Sequence, residues 1–181
     1  MKTSVILTLI GPDRPGLVSK VATRAHDAGG NWLESRMAQL AGQFAGIVLL
    51  EADATTVEGL EAALRELESE GLQIHIQRGH DDTTAPARHP VILDVIGHDR
   101  PGIVQDLTAV LSRRDVGVEN LDTAIEPASM TGEPMFRARA RLGVPEGVDL
   151  HSLQDDLEAL ANELMVDLEL RDPQAEAPET P

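Results

Sequence analysis

The sequence predicts an α+β protein made of two β-α-β-β-α-β units in tandem, each an antiparallel sheet with its helices on one face. Three observations carry that expectation. The segment Gly11-Pro12-Asp13-Arg14-Pro15-Gly16-Leu17-Val18 returns 86 residues later as Gly97-His98-Asp99-Arg100-Pro101-Gly102-Ile103-Val104, with six of eight positions identical. A repeat of domain length sets the architecture before any local reading. Around each copy, apolar residues switch between a period of two and a helical period in the same order. Glycine and proline fall between those segments, where strands and helices end.

In the first half, Val5, Leu7 and Leu9 alternate with Ile6, Thr8 and Ile10, a strand ending at Gly11. Pro15 suits the first turn of a helix, where its missing N–H has no partner to lose. Leu17, Val18, Val21, Ala22 and Ala25 follow at helical spacing, and Gly29-Gly30 stops the helix. Strands near 32–40 and 44–52 flank the hairpin connection Ala41-Gly42-Gln43. A helix over 56–70 shows Leu60, Ala63, Leu64 and Leu67 on one face, and Leu72, Ile74 and Ile76 close the sheet.

The second half repeats the order. Val91, Leu93 and Val95 form the first strand, and Ile103, Val104, Leu107, Val110 and Leu111 the first helix. Strands near 116–126 and 133–142 surround a turn-rich loop, a helix over 150–160 follows, and Leu164, Val166, Leu168 and Leu170 close the second sheet. The boundaries are a first domain at 1–79, a polar linker at 80–89, a second domain at 90–171 and an acidic tail at 172–181 whose composition predicts disorder. Two split β-α-β units per half is the ferredoxin-like arrangement.

Composition narrows the function. The net charge is −16, from 31 acidic and 15 basic residues, which opposes direct contact with a phosphate backbone. No apolar run reaches the ~18 residues of a membrane span. There is no cysteine, and nothing at the N-terminus reads as a leader, so the expected location is the cytoplasm. Gly11–Gly16 imitates a phosphate-binding loop, but Leu17-Val18 stands where Lys-Ser/Thr is required. There is no Gly-x-Ser-x-Gly elbow, so the chain is expected not to be an enzyme and to need no cofactor or metal.

The repeated turn is the candidate site. A helix N-terminus offers free N–H donors to a carboxylate. Gly16 and Gly102 leave the backbone open to close approach, and Asp13 and Asp99 could hold an ammonium group. Together these elements suit an α-amino acid. The competing reading is a helix cap, since aspartate favours caps and proline the first helical turn.

The run from Ile6 to Val18, followed by Gly29-Gly30-Asn31-Trp32, resembles the ACT domain, a small β-α-β-β-α-β regulatory module. Asp94 to Val104 resembles it again. A chain of two such modules with no attached enzyme is similar to the glycine cleavage system transcriptional repressor family. That resemblance implies amino-acid binding, with glycine the first to test, at the β1–α1 turn where two modules meet. The site residues would be Asp13, Arg14, Gly16, Leu17, Val18 and Asn31 in one half, and Asp99, Arg100, Gly102, Ile103 and Val104 in the other. It also implies control of transcription of glycine and one-carbon genes through a DNA-binding partner; the alternative is a detached regulatory subunit of an amino-acid metabolic enzyme. Asn31 aligns with Gly117, so the first half is expected to hold the more complete site.

Further features carry weaker expectations. Arg137, Arg139 and Arg141 share one strand face near Asn120, Asp122 and Glu126, which reads as solvated ion pairs or as a dock for an acidic partner. Trp32 is expected to pack at an interface or against a helix. His80-Asp81-Asp82 with His89 could gather a cation, but the stretch has linker composition. Ile6 and Ile10 make both faces of the first strand apolar. Either the other half of the chain or a second subunit is expected to cover them, and homodimerisation is the expected state.

Overall fold

Each half of the chain closes its own four-stranded antiparallel sheet. The computed structural model describes residues 1–79, 87–128 and 131–173. They fall into two units, within Met1–Thr83 and Thr84–Pro181. The first contains β1 (Lys2–Pro12), α1 (Leu17–Asp27), β2 (Asn31–Leu40), β3 (Gln43–Asp53), α2 (Val57–Arg65) and β4 (Gln73–Arg78). A 3-10 turn over Glu66–Glu70 prolongs α2. The second contains β5 (Arg88–His98), α3 (Ile103–Arg113), β6 (Gly117–Pro127), β7 (Pro134–Pro145), α4 (Leu150–Leu164) and β8 (Val166–Arg171). The sheets run β2-β3-β1-β4 and β6-β7-β5-β8, the expected ferredoxin-like order.

Several boundaries differ from expectation for local reasons. Pro15 and Pro101 lie in the turn before the helix, because Gly16 and Gly102 take the N-cap position. Gln43 pairs with Pro12 as a strand residue, leaving Ala41 (φ 50°) and Gly42 (φ 77°) as a two-residue turn. Positive φ at both positions is the type I′ geometry, whose twist matches that of the strands. Arg88 and His89 begin β5, paired with Pro145 and Val144, so they are strand and not linker. Leu164 ends α4 and does not join β8. Residues 80–86 of the expected linker and 174–181 of the expected tail lie outside the described residues. Asp172 is held beside β5, 2.8 Å from His89 Nε2.

Strand alternation decides what each helix pair covers. Val5, Leu7 and Leu9 are at most 1 % exposed, and they meet Leu17, Val21 and Ala25 of α1 and Leu60 and Leu64 of α2 in one core. Leu17, Val21 and Ala25 are four apart, one stripe along the helix. Val91, Leu93 and Val95 do the same with Ile103, Leu107 and Leu111 of α3 and Leu153 and Leu157 of α4. The reverse sheet faces, with Ile6, Thr8 and Ile10 in one unit and Ile92, Asp94 and Ile96 in the other, carry no helix. Ile10 remains 43 % and Ile47 54 % exposed.

The modules also share an irregularity. Register shifts between Trp32 and Glu34 and between Val118 and Asn120 mark β-bulges at Leu33 and Glu119, again 86 residues apart. They diverge where chains turn left-handed. Gly29 and Gly71 have φ of 80° and 87°, whereas Asp115 and Met165 fill the corresponding corners with φ of 55° and 54°. A side chain there carries about 1–2 kcal/mol of strain. Met165→Gly should therefore stabilise the protein by about 1 kcal/mol, and Asp115→Gly by less, since aspartate tolerates this conformation better. Urea midpoints measure both.

One cap is charged. Asp149 accepts N–H bonds from His151 and Ser152 at the start of α4, and the Ser152 hydroxyl at 3.0 Å. The hydroxyl bond, then the backbone bonds, hold its carboxyl below the ordinary aspartate value. Its stabilisation is complete above that ordinary value and is lost as pH falls through the lowered one. The gap in urea midpoint between wild type and Asp149→Ala should accordingly close on acidification.

Candidate ligand-binding turns

The β1–α1 turn is tied to a neighbour before it reaches the helix. The Asp13 N–H donates to the Gly42 carbonyl at 2.9 Å, joining the turn to the β2–β3 hairpin tip. In the second unit the Asp99 N–H reaches Pro134 at 3.1 Å. Gly16 (φ 88°) and Gly102 (φ 100°) then reverse the backbone into α1 and α3. The left-handed backbone is what favours glycine here, since the space where a side chain would stand at Gly16 is empty. The same open space leaves the backbone accessible.

The helix-cap reading fails. Neither helix start receives a side-chain cap bond, and both Asp13 and Asp99 are exposed without a side-chain hydrogen bond or ion pair among the described residues. The amides of Val18 and Ser19 lack a backbone acceptor among those residues, as do those of Ile103, Val104 and Gln105. Leu17 differs: its N–H reaches Arg14 O at 3.3 Å. Each turn thus sets a free carboxylate beside free donors.

The remaining residues divide. Leu17 and Ile103 are 7 % and 2 % exposed and belong to the cores, so their side chains are turned away from the turn. Val18 and Val104 are 43 % and 38 % exposed beside it. Arg14 Nη1 reaches the Glu70 carbonyl at 3.5 Å, the limit of hydrogen-bond length. Arg100 is half-buried and has no such partner among the described residues.

Asn31 does not join Asp13 and Gly16. It pairs with Glu51, which pairs with Ser4, whereas Asp13 follows the far end of β1 beyond the Pro12–Gln43 pair. Nine residues of strand separate the two ends, about 30 Å. Asn31 and Asp13 of one module therefore cannot touch one small ligand. The ranking of the first turn above the second loses its basis, because Gly117 lies at that same far end of its sheet. Sequence reasoning missed this separation. It also missed the hairpin tip as part of the turn, although Ala41-Gly42 was a readable signal.

The arginine row is a paired face. Arg137 meets Glu126 at 3.3 Å, Arg139 meets Asp94 at 3.7 Å, and Arg141 meets Glu119 at 2.9 Å. Arg171 also pairs with Asp94. Trp32 packs half-buried on the first core, in the row of Leu50. His80, Asp81 and Asp82 lie outside the described residues. Among the described helices none is long and apolar enough to cross a membrane.

Fold and turns define a tandem α+β protein of the ferredoxin-like class with a duplicated strand-to-helix turn. The ACT domain model matches residues 3–77 and again 89–171. The chain belongs to the ACT domain family, twice over. It is 24 % identical over 164 residues to the glycine cleavage system transcriptional repressor of Escherichia coli strain K12, covering 88 % of this chain and 85 % of that one. A crystal structure of an unknown protein from Galdieria sulphuraria superposes with a TM-score of 0.81 at 30 % identity, covering 95 % and 99 % of the two chains. A solved structure assigned as a glycine cleavage system transcriptional repressor gives 0.68 at 23 % identity, covering 94 % and 97 %.

Proposed function

We propose that this chain is a non-enzymatic regulator that senses an amino acid at its β-strand-to-helix turns and controls transcription of glycine and one-carbon genes through a DNA-binding partner. The observation that carries the sensing role is the turn itself. A free carboxylate, free helix amides and an open backbone suit the ammonium and carboxylate of one α-amino acid. The transcriptional role draws support from the likeness to a transcriptional repressor along 88 % of the chain. The net charge of −16 favours acting through a partner over touching DNA.

A thermal-shift screen against all amino acids, glycine included, tests the sensing role, since a ligand selective for the native state raises the melting temperature. Affinity capture then tests the partner: a transcription factor supports this reading, and a biosynthetic enzyme replaces it with the regulatory-subunit alternative. We infer further that the second turn binds more tightly, because Arg100 has no bonded partner among the described residues while Arg14 reaches toward the Glu70 carbonyl. Asp99→Ala and Arg100→Ala should each weaken binding about tenfold to a hundredfold, with smaller losses from Asp13→Ala and Arg14→Ala. Calorimetric titration of folded variants decides the order. Undiminished binding in all four would remove the turns from the site.

A further inference from the structure

The open faces of the two sheets have diverged. In the second unit the central positions hold Arg137, Arg139 and Arg141, satisfied by carboxylates on their own face. The matching rows of the first unit hold Ala45, Ile47 and Leu49, opposite Ile10, Thr8 and Ile6. There a shallow groove of about 260 Å³ is lined by Ile6, Ile47, Leu49, Glu34, Ser35 and Arg36. Its only charged groups are Glu34 and Arg36, which bond each other at 2.8 Å. The groove is therefore neutral in a chain of net charge −16. Two copies of such a chain repel each other over most of their surface, but not here.

We propose that this face is a homodimer interface in which the first sheets of two copies pack face to face about a two-fold axis at the level of Ser35. The pattern is self-complementary about that level. Ser35, Val48, Leu7 and Ile76 form one row across the sheet. Glu34, Leu49 and Ile6 lie one step to one side, and Arg36, Ile47 and Thr8 one step to the other. A two-fold axis along the row sets Glu34 over Arg36 of the second copy and Leu49 over its Ile47, each contact occurring twice. Leu49 meets Ile47, Ile6 meets the Thr8 side chain, and acid meets base. An isologous interface requires this self-matching, and sheets pack face to face at about 10 Å with interdigitated side chains. The dimer is independent of what the turns bind.

Sedimentation velocity across a concentration series of the full chain, with circular dichroism confirming each fold, tests the proposal. Wild type should be dimeric. Ile47→Lys, at an exposed position outside the core, should raise the dissociation constant at least about a hundredfold. Glu34→Arg and Arg36→Glu should each weaken the dimer by creating like-charge pairs, and the double exchange should restore it. A monomeric wild type overturns the proposal. So does a dimer that tolerates Ile47→Lys, whether held by the β2 edge, where Ile47 stays outside, or by the charged face of the second sheet. Failure of the double exchange to restore the dimer overturns the two-fold register.

Discussion

Gly97→Ala should destabilise the protein by about 1–3 kcal/mol. The repeated motif begins with this glycine, and a Cβ there would stand 2.5 Å from Val166 Cγ1 and 3.0 Å from its Cα. The backbone atom gives the clash its weight, since β8 would have to move away from the end of β5 it pairs with. Gly11→Ala should behave alike, striking Leu72 Cδ2 at 2.7 Å and the Gly71 carbonyl at 2.9 Å. Urea denaturation of both variants measures the cost. A neutral effect at Gly97 would mean that β8 yields freely there. The first and last glycines of the motif thus serve different needs: Gly97 admits a neighbouring strand, and Gly102 permits a left-handed turn.

Leu7→Ala should cost more, about 2–5 kcal/mol. Leu7 is fully buried between β1 and the two helices, so truncation opens a cavity that neighbouring side chains fill only in part. Its sequence neighbour provides the control. Ile6 points to the helix-free face, and Ile6→Ala should cost the monomer much less while weakening association. Chemical denaturation at low protein concentration separates the two effects. Similar losses from both would contradict the assignment of faces.

The contrast between Leu7 and Ile6 also shows what the sequence could reveal. Period-two alternation along residues 5–10 located the core face, and the 86-residue repeat made the second module a copy of the first. The β-bulges were not legible. Strict alternation back from Ser35 and Met37 would turn Leu33 inward and Trp32 outward. The extra residue at Leu33 reverses that, placing Trp32 over the core and leaving Leu33 48 % exposed.

For the candidate site, the turns were legible because their residues are contiguous. Asn31 was misplaced because its position depends on strand direction. β2 runs parallel to β1 across the intervening β3, so its first residue lies beside the start of β1 and away from the turn at its end. Chain proximity after α1 hides that distance. The helix-cap alternative had a related source: aspartate and proline suit a helix start statistically, but the left-handed glycine takes the cap position in both copies.

Trp32 is the only tryptophan in a chain without tyrosine, and it rests on the core of the first module alone. Intrinsic fluorescence consequently watches one module while the far-ultraviolet dichroism of helices and strands watches both. Superimposed melting curves from the two signals would mean that the modules unfold together. Separated curves would assign the emission transition to the first module and the remainder to the second, with no label or truncation. The same emission provides an optical channel for following the core of the first module while the second stays dark.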